Sequence, residues 1–117
     1  MTQIIENALT IDVEDYFQVA ALAEAVRRED WHSMEYRVEA NTQRILGLLS
    51  RHNARATFFT LGWVVEKSPE LVRAIQKEGH EIASHGYSHQ LVYNQTPEVF
   101  REETRRSKAI LEDITGE

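Results

Sequence analysis

The chain has 117 residues, of which 42% are hydrophobic, so it is long and apolar enough for one domain with a core. It contains no cysteine, which excludes disulfides and thiolate ligands and leaves histidine and carboxylate side chains to bind any metal. A net charge of -6 lacks the basic surface of a nucleic-acid-binding protein, and no apolar run approaches the ~18 residues that a membrane span requires. Because the start of the chain also lacks a signal-peptide pattern, we expect a soluble, cytoplasmic protein.

The first predicted element is a buried strand over residues 8–13, where apolar and β-branched residues lead directly to acids. Asp12, Glu14 and Asp15 lie within four positions, and carboxylates this close repel one another unless a cation or a raised pKa relieves them. Alternation along a strand places Asp12 and Glu14 on one side, whereas Asp15 joins them only if the strand has already ended. A solvated acidic turn is the alternative interpretation.

The remaining predicted elements alternate between helix and strand. In chain order they are a short helix within 16–31, a helix over 39–52, a strand over 54–62, a helix from 68 to about 78, a strand over 80–84 and a helix from 96 to about 115. Asn41 and Thr42 are the capping candidates for the helix over 39–52, and Ser68, followed by a proline, for the next one. Without a tight hairpin signal between strands, this alternation predicts a parallel sheet with right-handed crossovers.

Two histidines stand four residues apart directly after the third predicted strand. If they lie one helical turn apart, His85 and His89 direct both rings at one point, and neutral imidazole is the commonest zinc ligand. Sites in parallel α/β proteins gather where the strands end, so we expect this pair opposite the acids of the first strand. One carboxylate and two histidines around a divalent ion leave room for water, and a second carboxylate is then available as general base. The alternative is that both histidines are structural.

Three stretches resemble, in this order, the polysaccharide deacetylases (NodB-homology domain, carbohydrate esterase family 4). They are residues 10–15 (TIDVED), 56–62 (ATFFTLG) and 79–89 (GHEIASHGYSH). The run DVEDYF is similar to the branch associated with exopolysaccharide and exosortase gene clusters. The resemblance implies that residues 1–117 are the N-terminal portion of an irregular (β/α)7 barrel, because three strands do not close a barrel. The family's later motifs are expected beyond Glu117, so we expect this piece alone to turn over little or nothing.

The resemblance also implies a reaction, the hydrolysis of N- or O-acetyl groups on a polysaccharide with a divalent metal, usually zinc. Carried over residue by residue, Asp12 matches the general base, and His85 and His89 match metal ligands. The position after Asp12, where the family has a metal-binding aspartate, holds a valine. Glu14 or Asp15 is left as the third ligand, and strand alternation favours Glu14.

Expectations about substrate and partners follow from the same resemblance. Trp31 and Tyr87 are the substrate-binding candidates, since aromatic faces stack on sugar rings, although Trp31 alternatively covers the core. A carbohydrate polymer is the expected partner, and open sheet edges would allow self-association. Two alternative functions remain, an amidohydrolase acting on a small amide, as in the allantoinase-like branch, and a noncatalytic binding or assembly module.

Overall fold

A three-stranded parallel sheet in the order β1-β2-β3 organises the structure, a computed structural model that describes residues 2–117. The strands are β1 (Thr10–Val13), β2 (Thr57–Thr60) and β3 (Glu81–Ser84). Val13 is in register with Thr60, and Thr60 with Ser84, so the three strands end level with one another. The predicted parallel sheet is confirmed, and residues that follow β1 and β3 emerge at the same edge.

Helices connect the strands. Within residues 2–117 the α-helices are α1 (Val38–Arg51), α2 (Gly62–Lys67), α3 (Pro69–Lys77) and α4 (Pro97–Thr115), and 3-10 helices cover Tyr16–Gln18, Ala20–Leu22, Arg28–Ser33 and Val92–Asn94. The three longer predicted helices are confirmed to within a few residues. The single short helix predicted within 16–31 is wrong, because that connection consists of separate 3-10 turns. Helix α2 is absent from the sequence prediction, because the strand predicted over 54–62 includes Gly62, which instead begins this helix.

The main core lies between the sheet and the helices. Fully or almost fully buried side chains include Val13 of β1, Phe58 of β2, Leu46 of α1 and Ile75 of α3. Burying one such side chain stabilises a fold by about 1.5–3 kcal/mol. This packing holds the strand ends in place. No helix in the described part of the chain combines the length and the apolar character needed to cross a bilayer.

The predicted cap of α1 is wrong. Asn41 and Thr42 lie inside the helix, whose first residue is Val38. The start of α1 is instead bound by Asp15, whose Oδ2 accepts hydrogen bonds from the backbone N–H groups of Arg37 (2.7 Å) and Val38 (2.8 Å). A carboxylate from a distant segment therefore satisfies amides that the helix itself leaves unpaired.

Ser68 does not cap α3 through its side chain either. Its hydroxyl forms a hydrogen bond with the Tyr36 hydroxyl (2.5 Å) and donates to Glu39 (3.2 Å). The helix nevertheless begins where predicted, because Pro69 occupies its first position with a preset φ. Ser68 thus connects the start of α3 to α1.

Candidate metal centre

One carboxylate and two imidazoles meet at the edge where the strands end. Glu14 follows β1 and His85 follows β3, and the level strand ends bring both to this edge. The Nε2 atoms of His85 and His89 lie 3.1 Å and 2.8 Å from the same oxygen, Oε2 of Glu14. Each of the three residues offers one ligand atom, and these atoms lie within 4.8 Å of one another. The chemistry and spacing of this group suit a divalent metal ion.

The two histidines lie on a loop, so the helical turn assumed from their spacing is wrong. Gly86 and His89 both have left-handed backbone conformations, with φ of 74° and 56°. Positive φ is uncommon for a residue other than glycine, and such strain is often found at functional sites. The rings still approach each other, with centroids 5.0 Å apart. The loop therefore brings the rings of His85 and His89 together, as a helical turn was expected to do.

The first turn of α2 holds this loop in place. The backbone N–H of Gly62 donates to the carbonyl of Gly86 (2.7 Å), and that of Trp63 donates to the carbonyl of Tyr87 (3.1 Å). The approach depends on glycine, because a Cβ at Gly62 would lie 2.5 Å from Cδ2 of Tyr87. The missed helix α2 is therefore part of the scaffold of the site.

Electrostatic coupling links Glu14 to both histidines. Burial pushes the pKa of Glu14 upward, but the hydrogen bond with His85 and the charges of His89 and His85 outweigh it, so the pKa lies below its ordinary value. The hydrogen bond with Glu14 raises the pKa of His85; burial opposes this, and the charges of Glu14 and Asp12 add to it. The carboxylate and the imidazolium thus favour each other's charged forms.

Asp12 lies beside this group without belonging to it. Its Oδ2 is 3.8 Å from Nε2 of His85, and its side chain is 56% exposed. It stands on the same side of the chain as Glu14, as strand alternation predicts. Asp12 is thus a solvent-facing carboxylate next to the candidate metal ligands.

Asp15 points to the interior and takes no part in the group. It is buried, and its Oδ2 is taken up by the first amides of α1, while Oδ1 accepts from the N–H of Tyr16 (2.9 Å). Both carboxylate oxygens are committed to the backbone, so Asp15 is not available as the third ligand. The geometry groups Glu14 with the histidines instead.

The two substrate-binding candidates are less open than expected. Trp31 is 4% exposed and packs edge-on against Trp63, with ring centroids 5.4 Å apart. The burial of Trp31 agrees with the alternative that it covers the core, although part of the residue lines a cavity that His89 also lines. The roles of Trp31 and Tyr87 in binding substrate stay predictions.

Tyr87 is held by two charged residues. Its hydroxyl donates to Oε2 of Glu66 (2.6 Å), and the guanidinium of Arg106 lies 3.9 Å from its ring centroid. Burial, together with the hydrogen bond to Glu66, raises the pKa of Tyr87 to about 12. Tyr87 therefore stays a neutral phenol whose hydroxyl is already occupied.

One buried polar residue near the site was missed from the sequence. Gln18 is 3% exposed, and its Oε1 accepts a hydrogen bond from the backbone N–H of Asp15 (2.7 Å). Together they form a capping box, for which the Asp-x-x-Gln spacing is a recognisable signal. That spacing predicts a capped turn formed by Asp15 and Gln18 in the connection after β1.

A carboxylate and two histidines at the carboxyl edge of a parallel α/β sheet form a ligand set that is typical of zinc hydrolases. Comparison with known families identifies the class: the sequence model described as polysaccharide deacetylase matches residues 29–117. The chain therefore belongs to the polysaccharide deacetylase family. The match begins after β1 and does not cover Asp12 and Glu14, so the roles of these two residues depend on the geometry of the site.

Individual relatives agree with this membership. A peptidoglycan-N-acetylglucosamine deacetylase of Bacillus cereus is 39% identical over 75 residues, which cover 64% of this chain and 27% of the relative. A chitooligosaccharide deacetylase of Bradyrhizobium is 44% identical over 48 residues, or 41% of this chain and 22% of the relative. The chain thus spans about a quarter of the length of these curated relatives.

Solved structures confirm the fold. The peptidoglycan deacetylase PdaC from Bacillus subtilis matches with a TM-score of 0.70 and 27% identity, over 94% of this chain and 44% of that chain. A peptidoglycan N-acetylglucosamine deacetylase crystallised with a benzamide compound matches with a TM-score of 0.69 and 31% identity, over 93% and 41%. The expected fold class is confirmed, and this chain forms part of a β/α barrel.

Proposed function

We propose that this chain carries the metal-binding side of a deacetylase that hydrolyses N-acetyl groups on a glycan. The observation that carries this proposal is the convergence of the His85 and His89 Nε2 atoms on Glu14. The names of the relatives support the substrate class, since they specify peptidoglycan N-acetylglucosamine and chitooligosaccharide.

The three side chains fit a divalent ion such as zinc. Two imidazole nitrogens and one carboxylate oxygen are a common ligand set of catalytic zinc, and they leave a position open for water. When bound, the ion would supply Lewis acidity that makes a water more acidic and polarises the acetyl carbonyl. Glu14, His85 and His89 are the residues that would hold it.

Asp12 is the group suited to take the proton. It lies next to the candidate ligands, is not one of them, and remains open to solvent. In the proposed hydrolysis, the water oxygen bonds to the acetyl carbon while Asp12 accepts its proton. Asp12 then returns this proton to the amide nitrogen as the carbon–nitrogen bond breaks, which releases acetate and the amino sugar.

The comparisons do not favour the small-amide alternative, because the relatives described above are named as deacetylases of glycans. The noncatalytic alternative differs in a measurable way. A binding or assembly module has no need of the converging ligand group, whereas a hydrolase loses its chemistry without it.

Metal analysis tests the proposal. Purified wild type, loaded with zinc and dialysed, should retain about one ion per chain, and His85→Ala and His89→Ala should each retain far less. His52→Ala is the matched control, since His52 is an exposed histidine at the end of α1. Equal zinc content in all four proteins would contradict the site.

Acetate release tests the reaction. Zinc added to metal-free wild type should start acetate release from an N-acetylated chitooligosaccharide, and His85→Ala should abolish the response. The readout is the rate of acetate release with zinc divided by the rate without it, so a slow wild-type rate is sufficient. Measurable release that is equal with and without metal would contradict metal-dependent hydrolysis.

A further inference from the structure

A cavity of about 320 Å³ lies beside His89. Its lining includes amide, apolar and cationic side chains of the connection between β1 and α1, among them Gln18, Val26, Arg27, Arg28 and Trp31. A volume of this order accommodates a small ligand such as one sugar unit. His89 belongs both to this cavity and to the candidate metal centre.

Two buried polar atoms of this lining have no partner among residues 2–117. They are Nε2 of Gln18 and Nδ1 of His89. The hydrogen bond from the Asp15 N–H to Oε1 of Gln18 fixes the amide orientation, so Nε2 is left as the unused donor. Buried donors without partners are rare, and a ligand that accepts a hydrogen bond would satisfy this one.

Two guanidinium groups add positive charge at the same place. Nε of Arg28 donates to the carbonyl of Ser88 (2.8 Å), the residue before His89, and its Cζ lies 5.7 Å from the ring centroid of Trp31. Arg27 is exposed and lies 3.8 Å from the carboxylate of Glu29, the one acidic residue of the lining. Cationic charge therefore exceeds anionic charge here, although the chain as a whole carries -6.

We propose that this cavity binds a carboxylate-bearing sugar, such as a uronic acid unit of the glycan, next to the acetylated unit. This subsite rests on the proposed function, because it assumes that a glycan reaches the metal centre. A carboxylate accepts hydrogen bonds only, which suits the Gln18 amide and the planar donors of the arginines. The side chain of Val26 adds an apolar contact for the C–H face of a sugar ring.

Titration of isotope-labelled, metal-free protein with D-glucuronate, D-glucose and acetate tests the subsite by NMR. Metal-free protein is used because a carboxylate also binds zinc directly. We expect glucuronate to shift the side-chain amide signal of Gln18 in a saturable manner, and glucose and acetate to bind at least roughly tenfold more weakly. Equal binding of glucose would overturn the carboxylate assignment, and equal binding of acetate would overturn the sugar assignment.

Gln18→Glu is the sharpest variant, because it keeps the oxygen that accepts from Asp15 and replaces the free donor with a charged acceptor. Glucuronate affinity should fall by roughly tenfold or more. Arg27→Gln should weaken binding as well, and it keeps the test valid if Gln18→Glu does not fold, since Arg27 is exposed. The matched control is Arg51→Gln at the far end of α1, which should bind like wild type.

Unchanged glucuronate affinity in both Gln18→Glu and Arg27→Gln would overturn the subsite. The zinc content of His85→Ala is measured separately, and His85 does not line this cavity. Loss of the metal centre and loss of the subsite are therefore distinguishable outcomes.

Discussion

Glu14 and Asp15 are neighbours in sequence whose carboxylates lie on different sides of the chain at the end of β1. Oε2 of Glu14 is 2.8 Å from Nε2 of His89, whereas Oδ2 of Asp15 binds the first amides of α1. One acid faces the candidate metal centre, and the other fixes a helix to the sheet. Substitutions at the two positions should therefore have separable effects.

Glu14→Gln should abolish tight zinc binding, because the amide removes the only anionic member of the ligand group. We expect the zinc dissociation constant to rise by about 100-fold or more, measured by competition with a chromophoric chelator. Asp12→Asn is the matched control, since it also removes one carboxylate near His85 but should change zinc affinity little. A larger loss in Asp12→Asn than in Glu14→Gln would reverse the proposed roles.

Asp15→Ala should destabilise the fold while leaving the metal ligands in place. It leaves the buried N–H of Val38 and that of Arg37 without an acceptor, so we expect the free energy of unfolding to fall by about 2–3 kcal/mol. Urea denaturation measures this change. Asp30→Ala, at an exposed position, should change it by less than about 0.5 kcal/mol, and an equal loss in both variants would contradict the capping role.

The metal-free protein should show a pH-dependent stability that depends on the Glu14–His85 pair. The pKa of Glu14 lies below its ordinary 4.5, so its contribution is present above that value and is lost as the pH falls through the lowered pKa. The pKa of His85 lies above its ordinary 6.5, so its contribution is present below that value and is lost as the pH rises through the raised pKa. The pair therefore stabilises most between pH 4.5 and 6.5.

Urea denaturation at several pH values, with metal removed, measures this effect. Glu14→Gln should flatten the profile on both sides of the maximum, because neither member of the pair then has its charged partner. Glu35→Gln serves as control, since Glu35 is an exposed acid paired with Arg37. Profiles of wild type and Glu14→Gln that run parallel would contradict the coupling.

Gly62→Ala should weaken zinc binding from outside the ligand group. The added Cβ would meet Tyr87, so the loop that carries His85 and His89 must shift. We expect a dissociation constant for zinc raised by roughly tenfold, since small displacements of ligands are costly. Gly47→Ala is the control: nothing lies within 4 Å of its new Cβ, and alanine should stabilise α1 by about 0.5–1 kcal/mol. Unchanged zinc affinity in Gly62→Ala would show that the contact does not position the loop.

Features encoded locally were predictable from the sequence. The β-branched residues of β1 and β2 indicated strands, and the proline after Thr96 marked the start of α4, where Thr96 Oγ1 accepts from the N–H of Val99 (3.2 Å). The alternation of these elements was sufficient for the parallel sheet. Strand alternation also separated Glu14 from Asp15 correctly.

Features that depend on contacts between distant residues were not predictable. The cap of α1 is supplied 22 positions away by Asp15, so no local pattern at Asn41 or Thr42 could reveal it. The histidine loop has two left-handed residues whose conformations depend on its contact with α2. The sequence left open whether Trp31 stacks on a sugar or covers the core, because its burial depends on Trp63, which lies beyond a whole helix and strand in the sequence.

The backbone N–H groups of Gly62 and Trp63 donate hydrogen bonds to the histidine loop, so ion binding would be coupled to the folding of α2. An ion held by His85 and His89 would restrain the loop, and the loop would in turn retain the first amides of α2. Zinc should therefore slow hydrogen exchange at those two amides, although α2 contributes no metal ligand. Binding at the centre would thus be observable in the scaffold without any substrate.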